Sequence, residues 1–437
     1  MPLPTRPAPG AGATPGRTVA ALLVVLAALA TLLAALGPVP QAQAAGLRSP
    51  GPNWAVAQKS VGGRIALTIR WNKVAGARSY DITFAPSASG GPIYGGQIAK
   101  SPRKRTVGIR ATSASTQTGV VSGLVPGATY CFQVRARAGS ARGGYGNVRC
   151  KLVVRADRAV PAPGAAPLAM AAFNVCSAAC SRMAPWTTRR KEVVRRIQQM
   201  NVGPRGRAVD VLAIEEGRQA AEDGGFLDSA LAGTFVNGCR ARSFLQSIYV
   251  RTATYEVVSG TADAISFAPS DPSHGACWVR VRERSTQKEV VVVALHLQNG
   301  IASSDNTVRA RQTSAVLAAV RAAQPNQPIV LGGDYNSNRS RSVDAPARVM
   351  ASRGFHDAYD QALAYRSFPL YNSASDDRGT IRKGLTWGDH VDRIFVSPGL
   401  AVRSWEVDYR LGRPGYYAQP MASDHNPVLV EVAIPVP

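Results

Sequence analysis

In the second half of the chain, short apolar runs repeatedly end at a polar residue. The run Ile329–Leu331 leads through two glycines to Asp334 and Asn336. A short apolar run bounded by glycines is typical of a buried strand. Because side chains alternate between the two faces of a strand, Asp334 and Asn336 are expected on the same face. Taken alone, the pattern favours an Asp/Asn turn after a strand.

The same arrangement recurs along the chain. Further apolar runs end at, or begin next to, a polar residue: Asn174, Glu216, His296, Asp392, and Asp424 with His425. One such residue would be ordinary, but this repetition is hard to explain as capping. Strand ends in layered α/β folds are where sites form. We therefore expect these side chains to belong to one site.

The chemistry of this residue set indicates a reaction type. The set is rich in oxygen donors and contains two histidines, which suits Mg²⁺, Mn²⁺ or Ca²⁺ better than zinc. Carboxylates can hold the metal, amides and a histidine can bind an oxyanion, and a His–Asp pair can activate water. Together these groups predict hydrolysis of a phosphoester.

Six segments carry these residues. They are Ala171–Asn174, Asp210–Glu216, Val293–Leu297, Leu331–Ser337, Val391–Phe395 and Ser423–Pro427. They resemble the motifs of the endonuclease/exonuclease/phosphatase superfamily (DNase I-like), in that family's order and across residues 167–437. The resemblance implies a four-layer α+β or α/β sandwich, in which two mixed β-sheets are flanked by helices. It also implies a metal-dependent phosphoric ester hydrolase that uses Mg²⁺, or else Mn²⁺ or Ca²⁺.

The resemblance assigns a role to each matching residue. Glu216 would be the principal metal ligand, with Asn174 beside it and Asp424 completing the metal or water environment. His425 would be the general base that takes a proton from the attacking water. Asp392 would orient His425.

Three further residues would face the phosphate. His296 would contact the scissile phosphate, while Asp334 and Asn336 would position phosphate and nucleophile. In pancreatic-type deoxyribonucleases, an acidic residue just before the strand at Ile248 pairs with the histidine that corresponds to His296. Residues 242–247 of this chain contain no acid. His296 is therefore not expected to be a strong acid–base group.

Other titratable residues match no motif or match it less well. Glu215 is interpreted as a neighbour of the metal ligand, because the family's metal-binding acid matches the second of the two adjacent glutamates. The remaining candidates are interpreted as surface, structural or turn residues: His274, His356, His390 and Asp389.

The first 45 residues have the order of a secretory signal peptide. Arg6 and Arg17 precede an uncharged apolar run, Thr18–Leu36, and residues 42–44 offer a small-residue cleavage site. An uncleaved membrane anchor is the alternative, since the run is just long enough to span a bilayer. Cleavage would leave a secreted, monomeric protein, in solution or at the cell surface, with no other membrane-spanning stretch.

Six cysteines in an exported chain favour disulfides. The order of the chain favours three bridges: Cys131–Cys150, Cys176–Cys180 and Cys239–Cys277. Both members of the first bridge fall in one domain, whereas the other four cysteines allow three pairings. A zinc site is unfavourable, because no companion Cys or His motif lies near Cys176 and Cys180.

Short alternating strands separated by Gly, Ser and Pro clusters run through residues 50–155. This segment resembles a fibronectin type III domain, whose core positions match Trp71, Tyr80, Leu124, Tyr130 and Val134. The resemblance implies an all-β, immunoglobulin-like sandwich in which the first bridge joins neighbouring strands. Residues 156–166 are rich in Pro and Ala and predict a linker to the second domain, 167–437.

The net charge of +24 is concentrated in the N-terminal domain. Residues 46–160 hold 18 basic and 2 acidic residues, whereas residues 161–437 hold 31 and 25. The predicted basic surface comprises the cluster 101–105 and two alternating pairs, Arg135 with Arg137 and Arg149 with Lys151. It predicts a tether to DNA, cell-wall teichoic acid or another polyanion. A solvated basic face without a partner is the alternative.

Patterning in the second domain also predicts individual elements. Two helices are expected, over residues 187–200 and over residues 307–323 with Asn306 as its cap. Two strand pairs are expected: 277–282 with 289–297, and 247–250 with 255–258.

Three functions compete at this point. The leading one is a secreted, metal-dependent nuclease whose substrate is nucleic acid, with DNA favoured over RNA. A sphingomyelinase-like or other lipid or small-molecule phosphodiesterase is the second, and it would use exposed aromatic loops such as Phe368–Tyr371 or Gly415–Tyr417. The third is a surface adhesin that binds polyanions without catalysis, which the intact set of site residues disfavours.

Overall fold

The structure is a computed structural model of the 437-residue chain. It describes residues 46–51, 54–61, 64–86, 95–125, 129–153, 159–177, 180, 183–217, 225–240, 246–267, 273–338, 343–365, 373–375, 379–380 and 390–435. The predicted signal peptide, Phe368–Tyr371 and Asp389 lie outside these residues. Within the described ranges, no helix has the length and apolarity needed to cross a membrane.

Residues 47–153 contain two antiparallel β-sheets and a short helix, α1 (Gly95–Lys100). The strands are β1 (Trp54–Val61), β2 (Arg64–Asn72), β3 (Ser79–Pro86), β4 (Arg105–Arg110), β5 (Thr116–Leu124), β6 (Thr129–Ala138), β7 (Ala141–Tyr145) and β8 (Arg149–Leu152). One sheet has the order β1-β2-β5, and the other has the order β4-β3-β6-β7 with β8 paired to β6.

An apolar core holds these two sheets together. Trp71 of β2 and Tyr80 of β3 are fully buried, and their rings meet edge to face with centroids 5.2 Å apart. The predicted bridge between Cys131 and Cys150 is confirmed, and it joins paired positions on β6 and β8. The assignment of this segment to the fibronectin type III family stays a prediction.

The rest of the chain contains two larger mixed sheets. Sheet I has the order β13-β14-β12-β9-β24-β23-β21, and sheet II has the order β15-β17-β18-β19-β22-β20 with β16 paired to β17. Their strands are β9 (Ala166–Asn174), β12 (Val211–Glu215), β13 (Phe235–Arg240), β14 (Ser247–Arg251), β15 (Tyr255–Val257), β16 (Asp263–Ser266), β17 (Gly275–Glu283), β18 (Glu289–His296), β19 (Ile329–Asp334), β20 (His356–Asp357), β21 (Ala364–Tyr365), β22 (Asp392–Val396), β23 (Ala401–Val407) and β24 (Val428–Ile434). A small separate pair is formed by β10 (Asn201–Val202) and β11 (Arg207–Ala208).

Helices cover the outer faces of both large sheets. They are α2 (Trp186–Gln198), α3 (Phe226–Leu231), α4 (Ser303–Ala323) and α5 (Ala345–Ser352). The short helix α6 (Ala358–Gln361) instead contributes Ala358 and Tyr359 to the apolar cluster between the sheets. One apolar cluster lies between the sheets, a second packs α2 and α3 on sheet I, and a third packs α4 and α5 on sheet II. In β12, Val211–Ile214 are all apolar because both faces of the strand are buried, and the strand ends at Glu215. The predicted α/β sandwich of four layers is confirmed for this part of the chain.

Two of the predicted elements are confirmed, and one needs correction at its start. Helix α2 buries Val193 and Ile197 as expected, and β17 and β18 form the predicted hairpin. Helix α4 begins at Ser303, earlier than predicted, so Asn306 lies inside the helix rather than at its cap. The Asp305 carboxylate instead accepts from the Ala302 N–H at 2.8 Å, which satisfies an amide that the helix leaves open.

The predicted pairing of residues 247–250 with 255–258 is wrong. β14 pairs with β12 and β13 in sheet I, whereas β15 pairs with β17 in sheet II. The turn that separates the two strands carries the chain from one sheet to the other. β14 and β15 are therefore neighbours in the sequence but do not pair with each other.

A buried ion pair joins the N-terminal sheets to the second part of the chain. Lys151 Nζ of β8 lies 3.0 and 3.1 Å from the two carboxylate oxygens of Asp360 on α6. Each side chain is only 2% exposed. Leu47–Pro437 form one compact unit. Lys151 is therefore not part of a solvent-facing basic surface, contrary to the prediction.

Candidate active site

On sheet I, the predicted metal ligands lie at the same end. β9 and β12 run parallel with Asn174 opposite Glu215, so Glu216 follows directly at the strand end. Glu216 has a φ of +54°, a conformation that few residues other than glycine adopt and that often occurs at functional sites. Ser423 Oγ donates to the Asn174 carbonyl at 2.7 Å, which brings the neighbouring Asp424 to this end.

On sheet II, three predicted residues lie at matching positions. β18 and β19 run parallel with His296 beside Asp334. β22 runs antiparallel to β19 and begins with Asp392 opposite Asp334. Strand register therefore accounts for the proximity of residues that are far apart in sequence.

Asn174 links the two sheets at the site. Its Nδ2 donates to Glu216 Oε1 at 2.9 Å and to Asp334 Oδ2 at 3.3 Å. Its Oδ1 accepts from the Cys176 N–H at 2.9 Å, which fixes the orientation of the amide. The amide thus holds a carboxylate of sheet I next to one of sheet II.

His425 and Asp392 form a close pair. His425 Nδ1 lies 2.8 Å from Asp392 Oδ2, and the Asp392 side chain is fully buried. Burial lowers the pKa of His425, but Asp392, Asp424 and Asp334 outweigh this effect and raise the pKa well above its ordinary value. The predicted His–Asp pair is therefore present, with Nε2 as the nitrogen that can exchange a proton with water.

Asn336 and a backbone carbonyl hold the second predicted histidine. Asn336 Nδ2 donates to the Leu297 carbonyl at 2.9 Å and lies 3.0 Å from His296 Nε2. Because the carbonyl requires a donor, the amide orientation is settled, and Nε2 of His296 is the acceptor. A neutral His296 then carries its proton on Nδ1, a buried atom with no hydrogen-bond partner among the described residues.

Asp334 occupies the centre of the site. Its Oδ2 lies 3.5 Å from His296 Nε2 and 3.9 Å from His425 Nε2. Its Oδ1 accepts from the Asn336 N–H at 2.8 Å, and Asn336 has a φ of +46°. The Asp/Asn turn and the site are therefore the same piece of structure, rather than alternatives.

The donor set fits a hard divalent cation. Glu216 and Asp424 offer carboxylate oxygens. The Asn174 amide presents Nδ2 to Glu216 while its oxygen accepts from the Cys176 N–H, so its role as a metal ligand stays a prediction. In addition, donor atoms of Asp334, Asp392 and His425 lie within 4.8 Å of one another. Cys176 and Cys180 lie near Asp424, but they form a disulfide and so offer no thiolate. Oxygen ligands in this number favour Mg²⁺, Mn²⁺ or Ca²⁺.

Arg189 of α2 is a supporting residue that the sequence interpretation missed. Its guanidinium donates to the carbonyls of Val175, Cys176 and Ala422, and its side chain is buried. It thereby ties the loop after Asn174 to the loop before Asp424. Its position on the apolar face of α2 was the available signal, because an arginine at a buried helical position needs specific partners.

Arg393, next to Asp392, supports the opposite loop. Its guanidinium donates to Asp344 at 2.9 Å and to Asp357 at 2.6 Å, and all three side chains are buried. Ser337 Oγ donates to Asp344 Oδ1 at 3.1 Å. This network fixes the chain directly after Asn336.

Glu215 lies beneath the site and is fully buried. Neither of its carboxylate oxygens has a hydrogen-bond partner among the described residues. Burial, followed by the charges of Asp392 and Asp334, raises the pKa of Glu215 well above its ordinary value. Burial therefore favours the protonated form of Glu215, which lies next to Glu216.

Of the two alternatives given for His274, the structure favours a structural residue, because it is 7% exposed and its ring packs against His296 with centroids 4.7 Å apart. One further sequence interpretation needs correction. Cys239 and Cys277 are free thiols rather than a disulfide. Cys277 Sγ lies 3.5 Å from the Cys239 carbonyl oxygen, and both residues are buried in the apolar cluster between the sheets. Burial raises the pKa of the Cys277 thiol, so it stays protonated.

Several solved structures align with this chain at low sequence identity. A crystal structure of an endonuclease/exonuclease/phosphatase family protein from Bacteroides thetaiotaomicron is 19% identical, with a TM-score of 0.47, and covers 62% of this chain and 96% of its own. A mannosyl-6-phosphatase from the same species is 20% identical, with a TM-score of 0.46 and coverage of 61% and 100%. TDP2 from D. rerio, complexed with a single-strand DNA product, is 14% identical, with a TM-score of 0.45 and coverage of 61% and 99%.

The sequence itself gives the family. No curated protein matches the chain. The profile of the endonuclease/exonuclease/phosphatase family matches residues 171–425, more than half of the chain. This range runs from the β9 motif to His425, so it contains every residue of the site described above. The chain therefore belongs to the endonuclease/exonuclease/phosphatase family.

Proposed function

We propose that the protein is an exported phosphodiesterase that depends on a divalent metal and hydrolyses nucleic acid, most readily DNA. One observation carries the proposal: the partly buried His425–Asp392 pair faces Asp334, whose carboxylate Asn174 holds next to that of Glu216. Membership of the family supports phosphoester hydrolysis. The two disulfides are compatible with an extracellular protein.

In this proposal His425 is the general base. Nε2 of His425 takes a proton from the attacking water, while Asp392 holds Nδ1–H and stabilises the imidazolium that forms. The raised pKa of His425 means that the nearby carboxylates favour the protonated product of this step. Asp392 therefore both orients the base and stabilises its charge.

The remaining site residues would bind and orient the phosphate. Asp334 and Asn336 would position the phosphate and the nucleophile, and His296 would contact the scissile phosphate. A divalent cation held by Glu216 and Asp424 would offset the negative charge that develops on the phosphoryl oxygens. Asn174 would hold Glu216 in place, because its Nδ2 donates to Glu216 Oε1 and to Asp334 Oδ2.

The basic residues of the N-terminal sheets favour a polyanionic substrate. Arg103–Arg105 are exposed and can contact phosphate groups. Arg135 and Arg137 contribute less, because both pair with Asp81 at 2.9 and 3.3 Å. The polyanion-binding surface that we propose therefore centres on Arg103–Arg105 rather than on the alternating arginines.

The lipid phosphodiesterase alternative loses one of its supports. It requires exposed aromatic residues for contact with a membrane. In the segment Gly415–Tyr417, Tyr417 is only 4% exposed, and Arg413 packs over the Tyr416 ring at 4.1 Å. A nucleic-acid substrate therefore remains the better proposal.

One assay compares the three functions. Purified protein that lacks residues 1–45 is incubated with plasmid DNA, RNA or sphingomyelin, in the presence of Mg²⁺ or of a chelator. We expect metal-dependent cleavage of DNA that is lost in His425→Ala. Turnover of sphingomyelin alone would reject the nuclease proposal, and no turnover of any substrate would favour an adhesin.

A second experiment tests the basic surface. Replacing Arg103, Lys104 and Arg105 by Ser should weaken DNA binding and reduce the slope of log K against log salt by about 3. The matched control replaces Arg135 and Arg137, which are already paired with Asp81, and it should change the slope less. Equal slopes in all three proteins would contradict this role.

A further inference from the structure

His274 lies at a position where it can control the orientation of His296. Gly275 pairs with His296 across β17 and β18, so His274, directly before β17, lies beside the end of β18. The two rings are tilted by 44°, with centroids 4.7 Å apart. His274 is 7% exposed and His296 is 4% exposed. The contact between them is therefore largely shielded from water.

Two polar residues hold the His274 ring. Ser273 Oγ lies 3.1 Å from His274 Nδ1. Gln246 Nε2 donates to the Ser273 carbonyl at 2.8 Å, and Gln246 is fully buried. Gln246 lies just before β14, in the segment where the sequence offers no acidic residue. Its amide therefore fixes the backbone that carries His274, rather than contacting His296 as a carboxylate would.

His296 needs an external constraint on its ring. A histidine ring is usually oriented by a hydrogen bond at the nitrogen that does not act on the ligand. In His296 that nitrogen is Nδ1, which has no hydrogen-bond partner within the described part of the chain. The torsion that rotates the ring has broad wells related by roughly a half turn, so one hydrogen bond at Nε2 restricts it only partly.

We propose that His274 is a positioning residue that holds the His296 ring by packing, with Nε2 directed towards Asn336 and Asp334. The Gln246–Ser273 pair keeps His274 in place. This inference rests on the proposed phosphodiesterase function only for its kinetic consequence. The orientation of the His296 ring can be measured without any turnover.

The kinetic test compares two substitutions at His274. We expect His274→Ala to lower kcat by about tenfold with KM changed less than about twofold, since a small misplacement of a reacting group has a large cost. His274→Phe retains a ring of similar shape and should restore most of kcat. His356→Ala, at the far end of β22, is the matched control and should keep wild-type activity.

Two results would contradict the proposed role of His274. Wild-type kcat in His274→Ala would show that the ring contact is dispensable. Equal loss in His274→Phe and His274→Ala would show that His274 acts through its nitrogens rather than by packing. If His274→Ala does not fold, Ser273→Ala serves instead, because it removes the hydroxyl that contacts His274 Nδ1 and should cost about twofold to threefold in kcat.

The structural test uses nuclear magnetic resonance of the histidine side chains. The chain has five histidines, so the His296 signals can be assigned from their loss in His296→Gln. We expect these signals to shift or broaden in His274→Ala and to stay sharp in His274→Phe. Unchanged signals in both variants would overturn the proposal. This test remains valid even if the wild-type protein hydrolyses none of the assayed substrates.

Discussion

The two sides of the site hold their histidines in different ways. On one side, His425 Nδ1 lies 2.8 Å from the Asp392 carboxylate. On the other, His296 Nε2 accepts from the Asn336 amide at 3.0 Å, and the His274 ring covers one face. Asp334 lies near both histidines, at 3.5 Å from His296 Nε2 and 3.9 Å from His425 Nε2, but only His425 has a second carboxylate in direct contact with Nδ1. We therefore propose that proton transfer belongs to the His425 side and substrate orientation to the His296 side.

Removal of the His425 imidazole should have the largest effect. A positioned general base contributes about 10²–10⁴-fold to a rate, so we expect a loss of this size in kcat for His425→Ala. The matched variant His296→Ala should lose less, because it removes orientation rather than the base. Steady-state kinetics on DNA measures both. A larger loss in His296→Ala would reverse the two roles.

Substitution of Asp392 by Asn should shift the pH dependence of activity. A general base works only when unprotonated, so activity falls below its pKa. Asp392→Asn removes the largest effect that raises the pKa of His425, and the acidic limb of kcat/KM against pH should therefore move to lower pH. We expect kcat to fall by less than in His425→Ala. An acidic limb at the wild-type position would mean that another group controls it.

Adjacent glutamates offer a matched test of metal binding. Glu216→Gln should raise the Mg²⁺ concentration needed for half-maximal activity by about 100-fold. Changing a residue that only supports a metal ligand already costs about 10–100-fold in metal affinity, and loss of the ligand itself should cost at least as much. Glu215→Gln changes the same chemical group one residue away and should leave this concentration nearly unchanged. Titration of activity with Mg²⁺ compares them. A larger increase in Glu215→Gln than in Glu216→Gln would mean that Glu215, and not Glu216, binds the metal.

Glu215 also allows a smaller test, of whether burial and the nearby Asp392 and Asp334 carboxylates raise its pKa. The pKa of Glu215 is higher in the folded protein than in the unfolded chain, where it is about 4.3. Protonated Glu215 therefore contributes fully to the free energy of unfolding below a pH of about 4.3, and this contribution is lost as the pH rises towards the folded pKa. In this window the wild type loses about 1.4 kcal/mol per pH unit relative to Glu215→Gln. Denaturant unfolding of the metal-free proteins between pH 5 and pH 9 measures this difference. Parallel stability curves would show that Glu215 is not buried as described.

Much of the site could be predicted because its information is local. Asp334 and Asn336 lie directly after an apolar run, and the alternation of a strand already places them together. The same argument applies to Asn174 and His296, each of which is the last residue of a buried strand. Strand register then brings these ends together.

The residues that were missed depend on contacts between distant segments. His274 matches no motif, and only the pairing of β17 with β18 places it on His296. The state of Cys239 and Cys277 likewise depends on how β13 and β17 pack, because these strands belong to different sheets.

The buried pair between Lys151 and Asp360 has a consequence for how a long ligand could use this protein. A binding module on a flexible linker raises the local concentration of its ligand by an amount that depends on linker length. A module fixed by an ion pair that is 2% exposed instead presents its basic residues at a constant distance from the catalytic groups. Oligonucleotides long enough to reach both regions should gain affinity abruptly with length, whereas shorter ones should bind as if Arg103–Arg105 were absent.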